Sequence, residues 1–233
     1  LESSTTPPQQ RQALVERLCF HFIANDDGEL HFALLSDWPD APTERVVVDD
    51  AVLAAAREGI ATLNARHGPA HGGPRFFLLH RARRWNPREE RWMGWERKRG
   101  KLHELNRLLR GATDTTYLAL GDAGASPVEL ASLHVRFIVT LDTDTRLPHG
   151  AARRLVGAMA HPLNRPEHDP ETGCVVRGSG ILQPRITPTP PESGEGTPMQ
   201  QVYSGPAGMD PYAFAVSDVY QDVFGEAIYT GKG

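Results

Sequence analysis

Short apolar runs separated by amphipathic stretches constrain the fold of this 233-residue chain most strongly. Three runs are typical of buried strands and are written LHFALLSDW (30–38), PRFFLLH (74–80) and RFIVTL (136–141). Helical patterns lie between and after them, at 51–68, 101–111 and 150–160. Strands that alternate with helices predict an α/β fold, in which a mostly parallel sheet is flanked by helices.

Turn and cap residues mark where these elements begin and end. Asp49 or Asp50 is expected to cap the helix over 51–68, and Gly68 to follow its last turn. The aromatic and basic stretch before Gly100 predicts irregular structure. Further predictions are a strand at 174–186, a flexible loop at about 187–200 and a helix at 210–226.

Residues 1–10 are predicted to be a disordered lead-in, and 11–233 to form one domain. Two cysteines make no disulfide framework and no zinc motif, which favours a reducing compartment. The beginning of the chain lacks the apolar segment of a signal peptide. No run approaches the ~18 apolar residues that span a bilayer, so the chain as given is expected to be soluble.

Positive charge is concentrated in one block. Between Arg81 and Arg110 there are eleven Arg or Lys against four Glu, a local charge of +7 in a chain of net charge -4. A basic block in an acidic protein suggests a locally held anion, and phosphate is the usual one. A nucleic-acid track would need more basic surface, so no nucleic-acid partner is expected.

The acidic pair Asp142 and Asp144 follows the third apolar run. If the chain stays extended through Thr143, both side chains point the same way and suit Mg²⁺ or Mn²⁺. Alternatively, Asp144 or Thr145 only caps the following helix. A third possibility is a haloacid-dehalogenase-like phosphotransferase, with Asp142 as nucleophile and Asp144 as acid. The motif lies late in the chain for that class, and Lys232 is the only later lysine.

Two further features accompany the acidic pair. Asp37 ends the first apolar run, as Asp142 ends the third, and ligands of open α/β sheets bind beyond such strand ends. Arg97, Lys98, Arg99 and Lys101 surround the start of a helix, where free N–H groups and the helix dipole favour an anion. Together, the acids and bases are what a nucleotide-sugar site needs.

Several long blocks resemble the glycosyltransferase segment of bacterial cyclic β-1,2-glucan synthases (glycosyltransferase family 84). More distantly, the chain is similar to processive family 2 glycosyltransferases. The blocks that carry the resemblance are LSDWPDA, WMGWERKRGKLHELNRLLRG, FIVTLDTDTRLPHGAARRLVGAMAHPLNRP, GSGILQPRI, DPYAFAVSDVYQDVFGE and YTGKG. The resemblance implies a GT-A fold, an inverting hexosyltransferase reaction, UDP-glucose as donor, a Mg²⁺ or Mn²⁺ cofactor and a growing β-1,2-glucan chain as acceptor.

The resemblance also implies roles for single residues. Asp37 would contact uracil or ribose, and Lys101 would reach the diphosphate. Asp142 would face ribose or a metal-bound water, and Asp144 would bind the metal directly. Gln183 would lie near the acceptor, and Thr230, Gly231 and Gly233 would belong to a loop beside the transferred sugar.

The resemblance further implies what a complete enzyme would add. The first strand of a GT-A domain is expected before the first helix, and the catalytic base, an Asp or Glu, beyond Gly233. The parent would be anchored at the cytoplasmic face of the bacterial inner membrane. We therefore expect a GT-A fold that is incomplete at both ends and a fragment that binds UDP-glucose with negligible transfer. A regulatory module that only retains the nucleotide-sugar pocket is the other alternative.

Overall fold

The computed structural model describes residues 8–120, 127–184 and 197–198. The chain divides into two units, which we describe separately: Leu1–Val139 with Arg146–Ala152, and Thr140–Thr145 with Arg153–Gly233. The single domain expected from the sequence stays a prediction. In chain order the elements are α1 (Pro8–Ala24), β1 (Phe32–Asp37), α2 (Asp49–His67), β2 (Phe76–Arg81), β3 (Arg84–Asn86), β4 (Arg91–Met93), α3 (Arg97–Leu108), α4 (Pro127–Ser132), α5 (Ala151–Met159), a short 3-10 helix (Pro162–Asn164), β5 (Glu167–His168) and β6 (Val175–Arg177).

A parallel pair of strands, β1 and β2, forms the centre of the first unit. The register runs from Phe32 opposite Phe76 to Asp37 opposite Arg81. Helix α2 connects the two strands, as a parallel pair requires a crossover. These strands confirm two of the three predicted apolar strands and the α/β class with a small parallel sheet flanked by helices.

Both faces of this strand pair are covered, because alternate residues of β2 enter two different clusters. On one face, Phe76 and Leu78 pack with Phe22 of α1 and with Ile60 and Leu63 of α2. The other face is formed by a second cluster, whose buried members are Phe77, Leu79, Leu105, Leu108 and Leu130, from β2, α3 and α4. Burial on both faces explains why the run is continuously apolar instead of alternating.

Helix α2 is joined to β2 by a side chain as well as by packing. The amide of Asn64 donates to the carbonyl of Phe76 and accepts from its N–H, both at 2.9 Å. Gly68 follows the last helical residue with φ +70°, as predicted. The predicted N-cap is wrong: Val48 holds that position, and Asp49 lies in the first turn, where it accepts from the N–H of Val46.

Two predictions near the basic block and the first helix need correction. The stretch predicted to be irregular contains the antiparallel hairpin β3–β4, in which Trp85 lies opposite Trp92. Its turn includes Glu90 in the left-handed region, with φ 48°. Helix α1 begins at Pro8, so the predicted disordered lead-in of 1–10 overlaps the helix, while 1–7 lie outside the described residues.

The third predicted strand, 136–141, is wrong: this segment has no strand pairing. Its apolar side chains are partly exposed, at 41% for Ile138 and 39% for Val139. The strand predicted at 174–186 is reduced to β6, which pairs with β5 in an antiparallel ribbon and leaves Val176 67% exposed. Three predicted segments lie outside the described residues: the last two residues of the predicted strand (185–186), the loop at 187–200 apart from 197–198, and the helix at 210–226.

In the part of the chain that the structure describes, no helix has both the length and the apolar character needed to cross a membrane.

Candidate functional site

Asp37 and Arg81 meet at the carboxyl ends of β1 and β2, where the register places them opposite each other. Arg81 Nε lies 2.7 Å from Asp37 Oδ1, and Nη2 lies 3.2 Å from Oδ2. The two planar groups therefore form a bidentate pair, the strongest geometry for these side chains. Sequence analysis identified Asp37 and missed its partner.

Every N–H of the Arg81 guanidinium has an acceptor. Besides Asp37, Nη1 donates to Trp95 O at 3.0 Å and to Glu104 Oε1 at 3.1 Å, and Nη2 donates to Arg97 O at 3.0 Å. The side chain is fully buried, with an exposure of 0%. A buried charge is tolerated when it is paired and hydrogen-bonded in this way. Arg81 thus ties the strand ends to the start of α3.

Glu104 is the second buried carboxylate of this network. Its Oε2 accepts from the N–H of Thr116 at 2.7 Å, and the hydroxyls of Thr115 and Thr116 also donate to it. Next to it, the hydroxyl of Tyr117 donates to the carbonyl of Lys101 at 2.9 Å. Burial raises the pKa of Tyr117 above its usual range, so the phenol stays protonated as this donor.

Lys101 lies beside the same aspartate. Its Nζ is 2.9 Å from Asp37 Oδ2, and both side chains are only 17% exposed. Burial by itself would raise the pKa of Asp37, but the hydrogen bonds and charges of Arg81 and Lys101 outweigh it and hold that pKa below its usual range. Two residues that the sequence predicted to bind the nucleotide sugar are thus brought into direct contact.

Two glycines allow the chain to approach this network closely. A Cβ at Gly94 would lie 2.9 Å from Asp37 Cγ and 3.0 Å from Arg81 Nη2. A Cβ at Gly100 would lie 2.0 Å from the carbonyl oxygen of Trp95 and 2.8 Å from its ring atom Cε3. Neither position has room for a larger residue without movement of the site.

The basic start of α3 is present, but its arginines are already engaged with carboxylates. Arg97 contacts Asp40 at 3.0 Å and Glu89 at 3.1 Å. Arg99, a predicted donor-binding residue, is 79% exposed and lies 3.0 Å from Glu96. These pairs reduce the positive charge that the sequence predicted for a phosphate cradle.

The acidic pair lies in the second unit, in a turn. The N–H of Thr145 donates to the carbonyl of Asp142 at 3.0 Å, which closes a turn through Thr143 and Asp144. The extended conformation that would align the two side chains is therefore absent. Asp142 is half-buried, and Asp144 is exposed.

The chemistry of this pair fits a hard divalent cation, because carboxylate oxygens are the ligands that Mg²⁺ and Mn²⁺ prefer. Across residues 8–120, 127–184 and 197–198, no three His, Cys, Asp or Glu side chains lie close enough together to hold a metal.

The remaining predicted site residues are only partly described. Gln183 is half-buried in the segment after β6. Thr230, Gly231 and Gly233 lie outside the described residues. Their roles stay predictions.

Arg81 and Glu104 are the members of the network that sequence analysis missed. An arginine at a strand end within a basic block is typical of a solvated charge. The available signal was the spacing of Glu104, which lies in α3 four residues from Gly100, on the same side as the apolar positions Leu105 and Leu108. An acid next to the buried face of a helix implies a buried cation as partner.

The comparisons with known proteins identify one strong relative. No protein-family model matches the chain. The chain is 50% identical over 220 residues to the cyclic beta-(1,2)-glucan synthase NdvB of Rhizobium meliloti (strain 1021), a match that includes 94% of the chain. It spans 8% of the length of that protein. Over 94% of its length, the chain is therefore similar to one segment of the cyclic beta-(1,2)-glucan synthase NdvB, which confirms the resemblance predicted from its motifs.

Proposed function

We propose that this chain binds UDP-glucose with a divalent metal, as part of a glycosyltransferase that makes cyclic β-1,2-glucan. The 50% identity to NdvB supports the reaction class. The observation that carries the proposal is the contact between Asp37 and Lys101, 2.9 Å apart beyond the end of a parallel strand pair. Strand ends of this kind are where open α/β sheets bind ligands.

Lys101 has the properties that diphosphate binding requires. An ammonium group carries three N–H donors, and Asp37 takes one of them. The side chain retains 17% exposure, which leaves room for phosphate oxygens. The carbonyl of the residue is held by Tyr117, so the position of the backbone is defined before a ligand arrives. In this proposal Lys101 binds the diphosphate and stabilises its charge as UDP leaves.

Among the contacts of the described residues, Asp37 keeps one acceptor position for the nucleoside. A carboxylate offers about four lone-pair sites. Arg81 Nε uses one on Oδ1, while Arg81 Nη2 and Lys101 use two on Oδ2. The second site on Oδ1 can accept from a ribose hydroxyl or from the N–H of uracil. Arg81 then acts as a positioning residue that fixes the plane of the carboxylate.

In the proposal, Asp142 and Asp144 hold Mg²⁺ or Mn²⁺. Such an ion would supply Lewis-acid chemistry. Inverting transfer additionally requires a base for the 2-hydroxyl of the acceptor glucan.

The phosphotransferase alternative has less support. In that class the nucleophile follows an apolar strand, and the segment before Asp142 is not a strand in the structure. The relative is a glucan synthase. The other alternative is a module that binds the same donor without catalysing transfer. Transfer of glucose to an acceptor glucan distinguishes the enzyme from such a module.

Calorimetric titration with UDP and MnCl₂ tests the metal assignment. We expect Asp144→Ala to weaken the Mn²⁺-dependent affinity for UDP at least about tenfold, because one direct ligand is lost. Glu171→Ala, at another exposed acid of the same unit, is the matched control and should bind like the wild type. Equal affinity for the wild type and Asp144→Ala would remove Asp144 from the metal site.

A further inference from the structure

A groove along α3 lies apart from the carboxylate of Asp37. It has a volume of about 430 Å³ and is lined on its exposed sides by Arg84, Trp95, His103, Arg107, Thr113 and Asp114. We call it the α3 groove. Its volume falls within the range of about 300–1,000 Å³ that is usual for small-ligand sites. Trp95 and His103 also line a second cavity of about 260 Å³.

Trp95 presents an exposed aromatic surface from a fixed position. The residue is 45% exposed, although a large apolar side chain normally gains from burial. Its carbonyl accepts from the buried Arg81 at 3.0 Å, and its ring lies against Gly100, where a Cβ would be 2.8 Å from the ring. His103 contacts the ring edge, with centroids 6.0 Å apart. A rigid aromatic side chain binds at low entropic cost.

The opposite part of the lining supplies a planar polar pair. Arg107 Nη2 lies 2.8 Å from both Oδ1 and Oδ2 of Asp114. The hydrogen bond from Arg107 holds the pKa of Asp114 below its usual range, so the carboxylate stays charged as an acceptor. Both side chains are exposed, at 46% and 70%. An aligned donor and acceptor of this kind can bind neighbouring hydroxyl groups of one sugar ring.

An apolar platform beside paired donors and acceptors matches the chemistry of a pyranose, whose C–H faces stack on aromatic rings while its hydroxyls hydrogen-bond at the edge. A phosphate has less support, because Asp114 is anionic and pairs with Arg107, which leaves Arg84 as the second cation of the lining. We propose that the α3 groove binds a β-linked glucose oligosaccharide, stacked on Trp95 and hydrogen-bonded to Arg107 and Asp114. The choice of glucose rests on the proposed function.

Titration of the 233-residue chain with a linear β-1,2-linked glucose tetrasaccharide, by calorimetry, tests this proposal. We expect Trp95→Ala to weaken binding about five- to tenfold and Trp95→Phe to retain part of the affinity. Asp114→Asn should also weaken it. Trp85→Ala is the matched control, since Trp85 is 48% exposed in the same basic block but lines neither cavity, and its affinity should be unchanged.

Parallel titrations with UDP and with inorganic pyrophosphate separate this proposal from the donor site. Loss of saccharide binding in Trp95→Ala with UDP affinity retained supports a separate saccharide site. Any of three results would overturn the saccharide proposal: the wild-type chain binds no tetrasaccharide, Trp95→Ala and Trp85→Ala have equal saccharide affinity, or the groove prefers pyrophosphate. If the wild type binds tetrasaccharide but not UDP, the donor proposal fails and the groove stands.

Discussion

Two apolar runs of this chain are followed by an aspartate at or just after their last residue, but only one of them forms a strand in the structure. The run that ends at Asp37 becomes β1, next to a strand whose Leu78 is only 1% exposed. The run that ends just before Asp142 forms no strand, and its Ile138 is 41% exposed. An apolar run therefore indicates that burial would be favourable. Whether the run becomes a buried strand depends on a neighbouring strand with which it can pair.

The charges of the two regions differ in the same way. Asp37 contacts two cations, Lys101 and Arg81, and Arg81 is itself held by the buried Glu104. Asp144 is exposed in a turn. A preorganised site binds with less loss of entropy than one that must first be ordered. We therefore expect stability to depend strongly on the first region and weakly on the second.

Removal of Arg81 should have the largest effect. Arg81→Met leaves the buried Glu104 without its cationic partner and leaves Asp37 with Lys101 alone, which is expected to lower the free energy of unfolding by about 3–5 kcal/mol. Urea denaturation measures this. Arg154→Met, at an exposed arginine of the second unit, should change stability by less than about 0.5 kcal/mol. Equal losses in both variants would contradict the comparison.

Truncation of an apolar side chain should lower stability much more in the parallel strand pair β1–β2 than in the ribbon β5–β6. Leu78→Ala removes a fully buried side chain and is expected to lower the free energy of unfolding by about 2–5 kcal/mol. Val176→Ala, at a residue that is 67% exposed, should lower it by less than about 0.5 kcal/mol. A loss above about 1 kcal/mol for Val176→Ala would mean that the ribbon β5–β6 packs against a core of its own.

Acid should destabilise the first region through His80. Burial lowers the pKa of His80 from 6.5 to about 4. The unfolded chain then binds more protons, so stability is full above pH 6.5 and falls as pH decreases toward 4, by roughly 3 kcal/mol. The lowered pKa of His21 adds to the loss. Unfolding measured between these pH values should show a smaller slope in His80→Gln, and an unchanged slope would contradict this assignment.

Alanine at two glycines should change stability in opposite directions. At Gly94 a Cβ meets Asp37 and Arg81, so Gly94→Ala is expected to lower the free energy of unfolding by about 1–3 kcal/mol. A Cβ added at Gly157, inside α5, would have no atom within 4 Å outside the backbone of its own helix. Gly157→Ala should therefore raise the free energy of unfolding by about 0.5–1 kcal/mol. Thermal unfolding of the two variants checks the signs, and a stabilised Gly94→Ala would be the contradictory result.

Much of the fold was predictable where local pattern and burial agree. The strands β1 and β2 follow from continuous apolar runs, and the end of α2 follows from Gly68. The hairpin β3–β4 was missed because half of the residues at 84–93 are charged and its turn contains no glycine. A left-handed Glu90 gives no signal in the sequence.

The candidate site was predictable only in part, for a related reason. Asp37 and Lys101 follow from a strand end and a basic helix start. Arg81 could not be identified as buried, because its burial depends on Asp37 and Glu104, which are 44 and 23 residues away along the chain. Long-range pairing of this kind is decided by the tertiary structure and leaves no local pattern.

The central claim is that Lys101, held beside Asp37, binds the diphosphate of the donor. Calorimetric affinities for UDP and for uridine, measured with MnCl₂, test it most directly. We expect Lys101→Met to weaken UDP binding about ten- to a hundredfold, the loss of a charge-assisted contact, and to leave uridine binding unchanged. Arg110→Met, at an exposed cation just after α3, should match the wild type for both ligands. Equal UDP affinity in Lys101→Met and Arg110→Met would contradict the account.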